Sequence, residues 1–248
     1  MEIDSEVVSF SGKVQQKPLL LLKALIAFGG RDVKEEQLCD ALWPDVEGDL
    51  AHRSFETTLY RLRHLIGKDK VVHLKEGRLT LDMRSCWVDA FALEKALDEA
   101  DGLWETLRRC QTVPRQSENT ATQAIQLTRK AITLYRGLFL EVEPEQSWLL
   151  SPQERLRAKY IRGIEALAGY WETAGELEMA IKCCEKALEV DDTAEEFYQR
   201  LMIINQRLGR RTNALAIYSR CRSLLEAKLG IEPSPKTETL LTTLRAKQ

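Results

Sequence analysis

Between positions 53 and 64 the chain sets out side chains whose chemistry suits the edge of a nucleic-acid groove. On a helix turning about 100° per residue, Arg53, Thr57, Tyr60 and His64 stand on one face, with Glu56 and Arg61 on its flanks. Polar, hydrogen-bonding and partly basic side chains grouped in this way suit a helix that reads base edges. The same face also suits plain solvent. Lys75 and Arg78 flank a short turn further on, where a cation can enter a narrow minor groove or touch phosphate. Other chemistries lack their residues. There is no P-loop and no GxGxxG, and His52, His64 and His73 have neither metal spacing nor a companion acid cluster. No Ser/His/Asp arrangement can be assembled. The expectation is a non-enzyme with no cofactor and no metal.

These residues need elements to hold them. The apolar positions Ala51, Phe55, Leu59, Leu62 and Ile66 are spaced 4, 4, 3 and 4 and form one stripe, so a helix is predicted from about Leu50 to Ile66, ending at Gly67. Val71, Val72 and Leu74 then read as a strand, Glu76-Gly77 as a turn, and Leu79, Thr80 and Leu81 as the returning strand. Upstream, Asp32 with Glu35 three residues later reads as a capping box opening a helix that carries Val33, Leu38, Ala41 and Leu42 on one face and ends at Pro44. Asp45–Asp49 is a short acidic connection. A helix over about Lys17 to Phe28 stops at Gly29-Gly30. Val7, Val8 and Phe10 look like the end of a strand, with a turn at Gly12. Helix, connection, Arg-bearing helix and hairpin in that order describe a winged helix-turn-helix.

A second pattern follows. After Trp87 the chain turns helical over Ala90–Leu107, and the polar stretch Thr112–Thr120 reads as a flexible loop. Helices are expected over Ala121–Arg136 and from Ser151, where Ser-Pro-Gln-Glu forms an N-terminal signature. Leu167 and Leu201, Gly175 and Gly209, Ala180 and Ala214, and Ile181 and Leu215 are each 34 apart, the tetratricopeptide period. Helices 121–136 and 235–245, the latter opened by Ser234-Pro235, are expected to complete the array. Trp104, Trp148, Tyr160, Tyr170 and Trp171 could line an effector pocket, though aromatics in helical repeats more often form core.

The 248 residues allow two domains, and with 44% apolar and 30% charged residues the material is globular. The net charge of −2 is uneven: residues 51–84 carry +4 and residues 1–50 carry −5. A basic segment beside acidic ones is the footprint of a small reader module, although solvated helices carry similar charge. No membrane span and no signal peptide are read. The six cysteines, Cys39, Cys86, Cys110, Cys183, Cys184 and Cys221, form no CxxC pair and suit a reducing cytoplasm. Neighbouring helical positions point about 100° apart, which disfavours a redox pair at Cys183–Cys184.

The run KPLLLLKALIAFGGRDVKEEQLCDALWPD, the helix RSFETTLYRLRHLIG and the hairpin together resemble the OmpR/PhoB-type winged helix. WVDAFALEKAL, LYRGLFL, RLRAKYIRGIEALAGYW and YSRCRSLLEAKLGIEPSPKTETLL resemble the bacterial transcriptional activator domain. The pair is similar to the Streptomyces antibiotic regulatory protein family. That resemblance implies a mostly α fold: an OmpR/PhoB-type domain at residues 1–86, with a small hairpin wing, then an all-α, tetratricopeptide-like activator domain at 87–248. It implies a cytoplasmic transcriptional activator that binds double-stranded DNA at direct repeats, as two subunits, and contacts RNA polymerase. By position, Arg53 is expected on phosphate, Glu56, Thr57 and Arg61 on bases, and Tyr60, Arg63 and His64 in support of backbone contacts. Lys75 and Arg78 match the wing, and Pro44, Asp45, Glu47 and Asp49 match the polymerase-facing loop. The chain departs from the pattern in two places: only Val7–Phe10 of the usual N-terminal sheet is read, and Arg78-Leu79 stands where an aromatic usually follows the wing glycine. Relatives of this kind carry the pair within longer signalling proteins, so a piece of a larger regulator is expected. The competing reading is a protein–protein interaction module in which the repeats bind a partner and the winged helix is a scaffold.

Overall fold

The computed structural model describes all residues except 1, 4–5, 8–15, 68–70, 110–113, 142–145 and 247–248, and only the backbone at 2–3, 6–7 and 114–117. The expected Val8, Phe10 and Gly12 features therefore lie outside the described residues. Two compact units emerge, one from Met1–Ala96 with Lys130–Arg157, the other from Leu97–Arg129 with Ala158–Gln248. Among the described residues no helix is long and apolar enough to cross a membrane.

The first unit begins with strands β1 (Glu2–Ile3) and β2 (Glu6–Val7) and helix α1 (Gln16–Ala27). Apolar α1 ends in a Schellman arrangement: Gly29 N–H donates to the Ile26 carbonyl at 3.0 Å and Gly30 N–H to the Leu25 carbonyl at 2.9 Å. Strand β3 (Val33–Lys34), helix α2 (Glu35–Leu42), helix α3 (Gly48–Ile66), strands β4 (Val72–Lys75) and β5 (Arg78–Leu81), and strand β6 (Cys86–Trp87) follow. Two sheets form, ordered β2-β1-β6 and β3-β5-β4, all pairs antiparallel. The N-terminal sheet is thus present in a short three-stranded form, beyond the single strand end read from sequence.

The expected capping box at Asp32 does not form. Asp32 has φ +51° and Val33–Lys34 is a strand whose residues pair with Leu79 and Arg78. The N–H of Glu35, which a cap would satisfy, donates instead to the Gly77 carbonyl at 2.9 Å. Sheet pairing displaced a local signal here, because it buries Val33 as well as bonding the backbone. The turn at Glu76 (φ +51°) and Gly77 (φ +68°) has both central residues left-handed, the geometry that matches strand twist in a two-residue hairpin. Leu21, Leu25, Leu38, Phe55, Leu62, Leu79 and Leu81 form the centre of the core, joined by Trp148 and Leu149.

Helices α4 (Asp89–Arg109), α5 (Pro114–Leu134) and α6 (Ser147–Ala174) follow. Residues 114–120 of the expected loop are therefore helix, with Pro114 at its first position, where a missing N–H costs nothing. The expected start at Ser151 is also displaced. α6 runs through Pro152, since starting at Ser147 brings Trp148 and Leu149 onto the core.

The second unit continues with α7 (Leu177–Leu188), α8 (Glu195–Arg207), α9 (Arg211–Leu229) and α10 (Pro235–Ala246). The 34-residue offset recurs in backbone detail. Gly175 (φ +81°) and Gly209 (φ +72°) both follow a helix end. Glu176 N–H donates to Trp171 O at 2.9 Å and Arg210 N–H to Asn205 O at 2.8 Å. Ala180 and Ala214 are both fully buried. The five aromatics do not gather into one pocket. Trp148 packs on Phe28 in the first unit, whereas Trp104, Tyr170 and Trp171 form a ring cluster in the second, with Trp104 donating its indole N–H to Thr128 Oγ1 at 3.1 Å. Cys39, Cys86, Cys183, Cys184 and Cys221 are free and buried, and burial pushes the Cys184 and Cys221 thiols up to about 12. Cys110 lies outside the described residues.

Candidate nucleic-acid interface

Helix α3 is the element on which the candidate side chains converge. Its inner stripe, Ala51, Phe55, Leu59 and Leu62, is at most 4% exposed, and Thr58 is buried beside it. Anchoring one side so firmly fixes the rotation of the helix and turns Arg53, Glu56, Thr57, Tyr60, Arg61 and His64 outward, all exposed. Tyr60 is 73% exposed on this face. Asp49 in the first turn and Arg63 and His64 in the last complement the helix dipole, and Gly67, at φ +71°, closes the C-terminus.

The outward groups differ in how free they are. Arg53 and Arg61 have no ion-pair partner among the described residues. Thr57 donates its hydroxyl to the Arg53 carbonyl at 2.9 Å, so it offers outward a lone pair and a methyl group. Arg63 is half-buried and donates Nε–H to the Val72 carbonyl at 3.1 Å. Its first structural task is to tie α3 to β4. In the hairpin, Lys75 and Arg78 are register partners on either side of the turn. Lys75 Nζ lies 3.9 Å from Glu76 Oε1, and Arg78 donates to the Asp32 carbonyl at 3.2 Å. Arg78 thus braces the residue that precedes β3.

The connection between α2 and α3 places Pro44, Asp45, Glu47 and Asp49 at the surface. They adjoin an open groove of about 720 Å³ between α2, the start of α3 and the hairpin turn. Lys17 closes the end of α2, donating to the Leu42 carbonyl at 3.0 Å with its ammonium 5.4 Å from the Trp43 ring centre.

Sequence reasoning passed over His52, treating it only as a failed metal ligand. Its Nδ1 contacts Glu35 Oε1 on α2, and its Nε2 lies 3.6 Å from Glu56 Oε1 one turn along α3. The Glu35 hydrogen bond and then the Glu35 charge raise the pKa of His52, desolvation opposes them, and Glu56 and Asp49 add to the rise. The i,i+4 spacing to Glu56 was visible in the sequence, but the partner on α2 is a tertiary contact.

The family model for the bacterial transcriptional activator domain matches residues 93–245, and the chain belongs to that family. Two curated relatives extend the likeness over nearly the whole chain. It is 28% identical to the regulatory protein AfsR of Streptomyces griseus over 95% of its own length, and 25% identical to AfsR of Streptomyces coelicolor over 96%. The chain spans 22% of the length of each. Among solved structures it resembles Mycobacterium tuberculosis EmbR, described in complex with a low-affinity phosphopeptide, with a TM-score of 0.72 over all of this chain and 63% of that one. At 20% identity that likeness speaks to the fold alone. The family is one of transcription regulators and not an enzyme class, and the relatives do not favour the interaction-module reading.

Proposed function

We propose that the chain is the DNA-reading and activating portion of a transcriptional activator. The observation that carries this reading is α3: one face is locked in the core, and the other offers free cations, a carboxylate, a hydroxyl oxygen and an exposed Tyr60. In this reading α2, α3 and the β4–β5 hairpin make an OmpR/PhoB-type winged helix within residues 1–86, and 87–248 is a tetratricopeptide-like activator domain. Arg53 holds phosphate, Glu56, Thr57 and Arg61 address bases, Tyr60, Arg63 and His64 support the backbone, and Lys75 and Arg78 serve the wing. Pro44, Asp45, Glu47 and Asp49 face RNA polymerase. Two chains bind double-stranded DNA at direct repeats, and the whole acts as the output portion of a longer cytoplasmic signalling protein.

Selection of bound DNA from a random pool, followed by affinity at two salt concentrations, tests the reading. Tandem half-sites should emerge, with affinity falling steeply in salt. Arg61→Ala should weaken the selected site by about 1–3 kcal/mol, and Arg53→Ala should weaken all sequences and lower the salt slope by about 1. No enrichment with the wild-type chain overturns the proposal. Unchanged binding in both variants overturns the residue roles.

A further inference from the structure

Among the described residues, His52 is the only histidine with a carboxylate at each ring nitrogen. Glu35 sits on α2 and Glu56 on α3, so the imidazole bridges the helix behind to the face that reads outward. Ionised carboxylates accept hydrogen bonds and do not donate them, and a neutral imidazole carries one N–H. Only the imidazolium serves both. When the proton leaves, the nitrogen in the closer contact, Nδ1, keeps its hydrogen for Glu35, and Nε2 then turns a lone pair toward Glu56. The carboxylate that loses its cationic partner, 3.6 Å from Nε2, is therefore the one on the reading face.

Glu56 gains from such a cation. A carboxylate brought against a phosphate backbone is repelled unless a cation stands beside it. One oxygen held toward His52 leaves the other to accept from a base amino group, and a glutamate in the major groove pairs with cytosine N4. We infer that His52 is a positioning residue for base reading: as the imidazolium it holds Glu56 in the posture that accepts from a cytosine amino group, and on deprotonation it releases Glu56. This rests on the DNA-binding proposal above. The other charged groups near His52 are Asp49 on α3 and, around the same groove, Lys34 on β3, Glu36 and Asp40 on α2, and Glu76 and Arg78 at the hairpin turn. Their mixture leaves Glu35 and Glu56 as the charges that touch the ring.

The test is selection of bound DNA at pH 6 and pH 8.5 at constant ionic strength, then affinities for the selected site and for sites changed at each C·G pair. The full chain is compared with His52→Ala, Glu56→Gln and His73→Ala, each checked for folding by circular dichroism; His73 is exposed on β4. In the wild-type chain, discrimination at one C·G pair should be about two- to fivefold stronger at pH 6 than at pH 8.5. His52→Ala should abolish that pH dependence, Glu56→Gln should lose the preference at both pH values, and His73→Ala should keep the wild-type profile. A selected motif whose discrimination does not change with pH, or a pH dependence that survives His52→Ala, overturns the inference while leaving DNA reading intact. No selected motif at either pH removes the DNA-binding proposal itself and this inference with it.

Discussion

Gly30 is the position where one methyl group should damage the first unit most. Its φ is +71°, and a Cβ built there would lie 2.7 Å from Phe91 Cζ and 2.8 Å from Phe91 Cε2. Two costs arise. Holding alanine in the left-handed region costs about 1–2 kcal/mol. Moving the Phe91 ring, which packs against the core, adds about 1–3 kcal/mol of overpacking strain. The Gly30 carbonyl also accepts the Leu81 N–H at 2.8 Å, so displacement reaches the end of the hairpin. Gly29 supplies the control, since its φ is +96° but nothing lies within 4 Å of its would-be Cβ. Gly30→Ala should therefore cost about 2–5 kcal/mol and Gly29→Ala about 1–2 kcal/mol, read as urea midpoints at constant m-value. In a Phe91→Ala background the extra cost at Gly30 should vanish, leaving the two alanine variants alike. Equal losses for Gly29→Ala and Gly30→Ala in the wild-type background would refute the clash, and with it the tight seating of Phe91.

Two further outcomes follow from side-chain contacts. Glu195 accepts from Ser234 N–H at 2.8 Å, Ser234 Oγ at 2.7 Å and Thr237 Oγ1, joining α8 to α10; desolvation pushes its pKa up, but these hydrogen bonds outweigh it and leave the pKa lowered. A depressed folded-state pKa stabilises above the unfolded value and is lost as pH falls through the folded one, so Glu195→Ala should cost about 2–3 kcal/mol at pH 7, with the gap closing in acid below about pH 4; a pH-independent gap in denaturant melts contradicts the charged network. With Arg53 and Lys75 as the phosphate contacts, the slope of log affinity on log salt should be about −2 for one chain and about −4 for two. Titrations giving a slope near zero contradict those contacts.

Much of the fold was legible because it is written in periodicity. The α3 stripe from Ala51 to Leu62 is buried as its spacing demands. The helix-ending glycines at 29–30, 67, 175 and 209 take the left-handed conformation their places require. The misreadings occurred where a local signal met a tertiary partner. Asp32 with Glu35 is a valid capping box in isolation, but β5 offers Val33 and Lys34 a strand partner. Ser151-Pro152 is a valid helix start, but the core takes Trp148 and Leu149 and extends the helix backward. The candidate site divides in the same way. Exposure of Arg53, Thr57, Tyr60 and His64 follows from helical geometry, whereas the Arg63–Val72, Arg78–Asp32 and His52–Glu35 contacts join residues that no short-range pattern links.

Those contacts change what the charges of this surface can do. Counted from sequence, α3 carries +1 from Arg53, Arg61 and Arg63 against Asp49 and Glu56, in a chain of net −2. Among the described residues of α3 and the β4–β5 hairpin, Arg63 gives its Nε–H to Val72 and Arg78 donates to Asp32, which leaves Arg53, Arg61 and the nearly unpaired Lys75 without such ties. Three cations give weak, sequence-blind attraction to phosphate, since each contributes one counterion's release. Acids on the adjacent α2–α3 connection oppose even that over the Debye length of about 8 Å at physiological salt. In the proposed reading, discrimination comes from the short-range hydrogen bonds of Arg61, Glu56 and Thr57, which is where a carboxylate becomes useful: Glu56 would cost generic affinity everywhere and return it only opposite a base that donates.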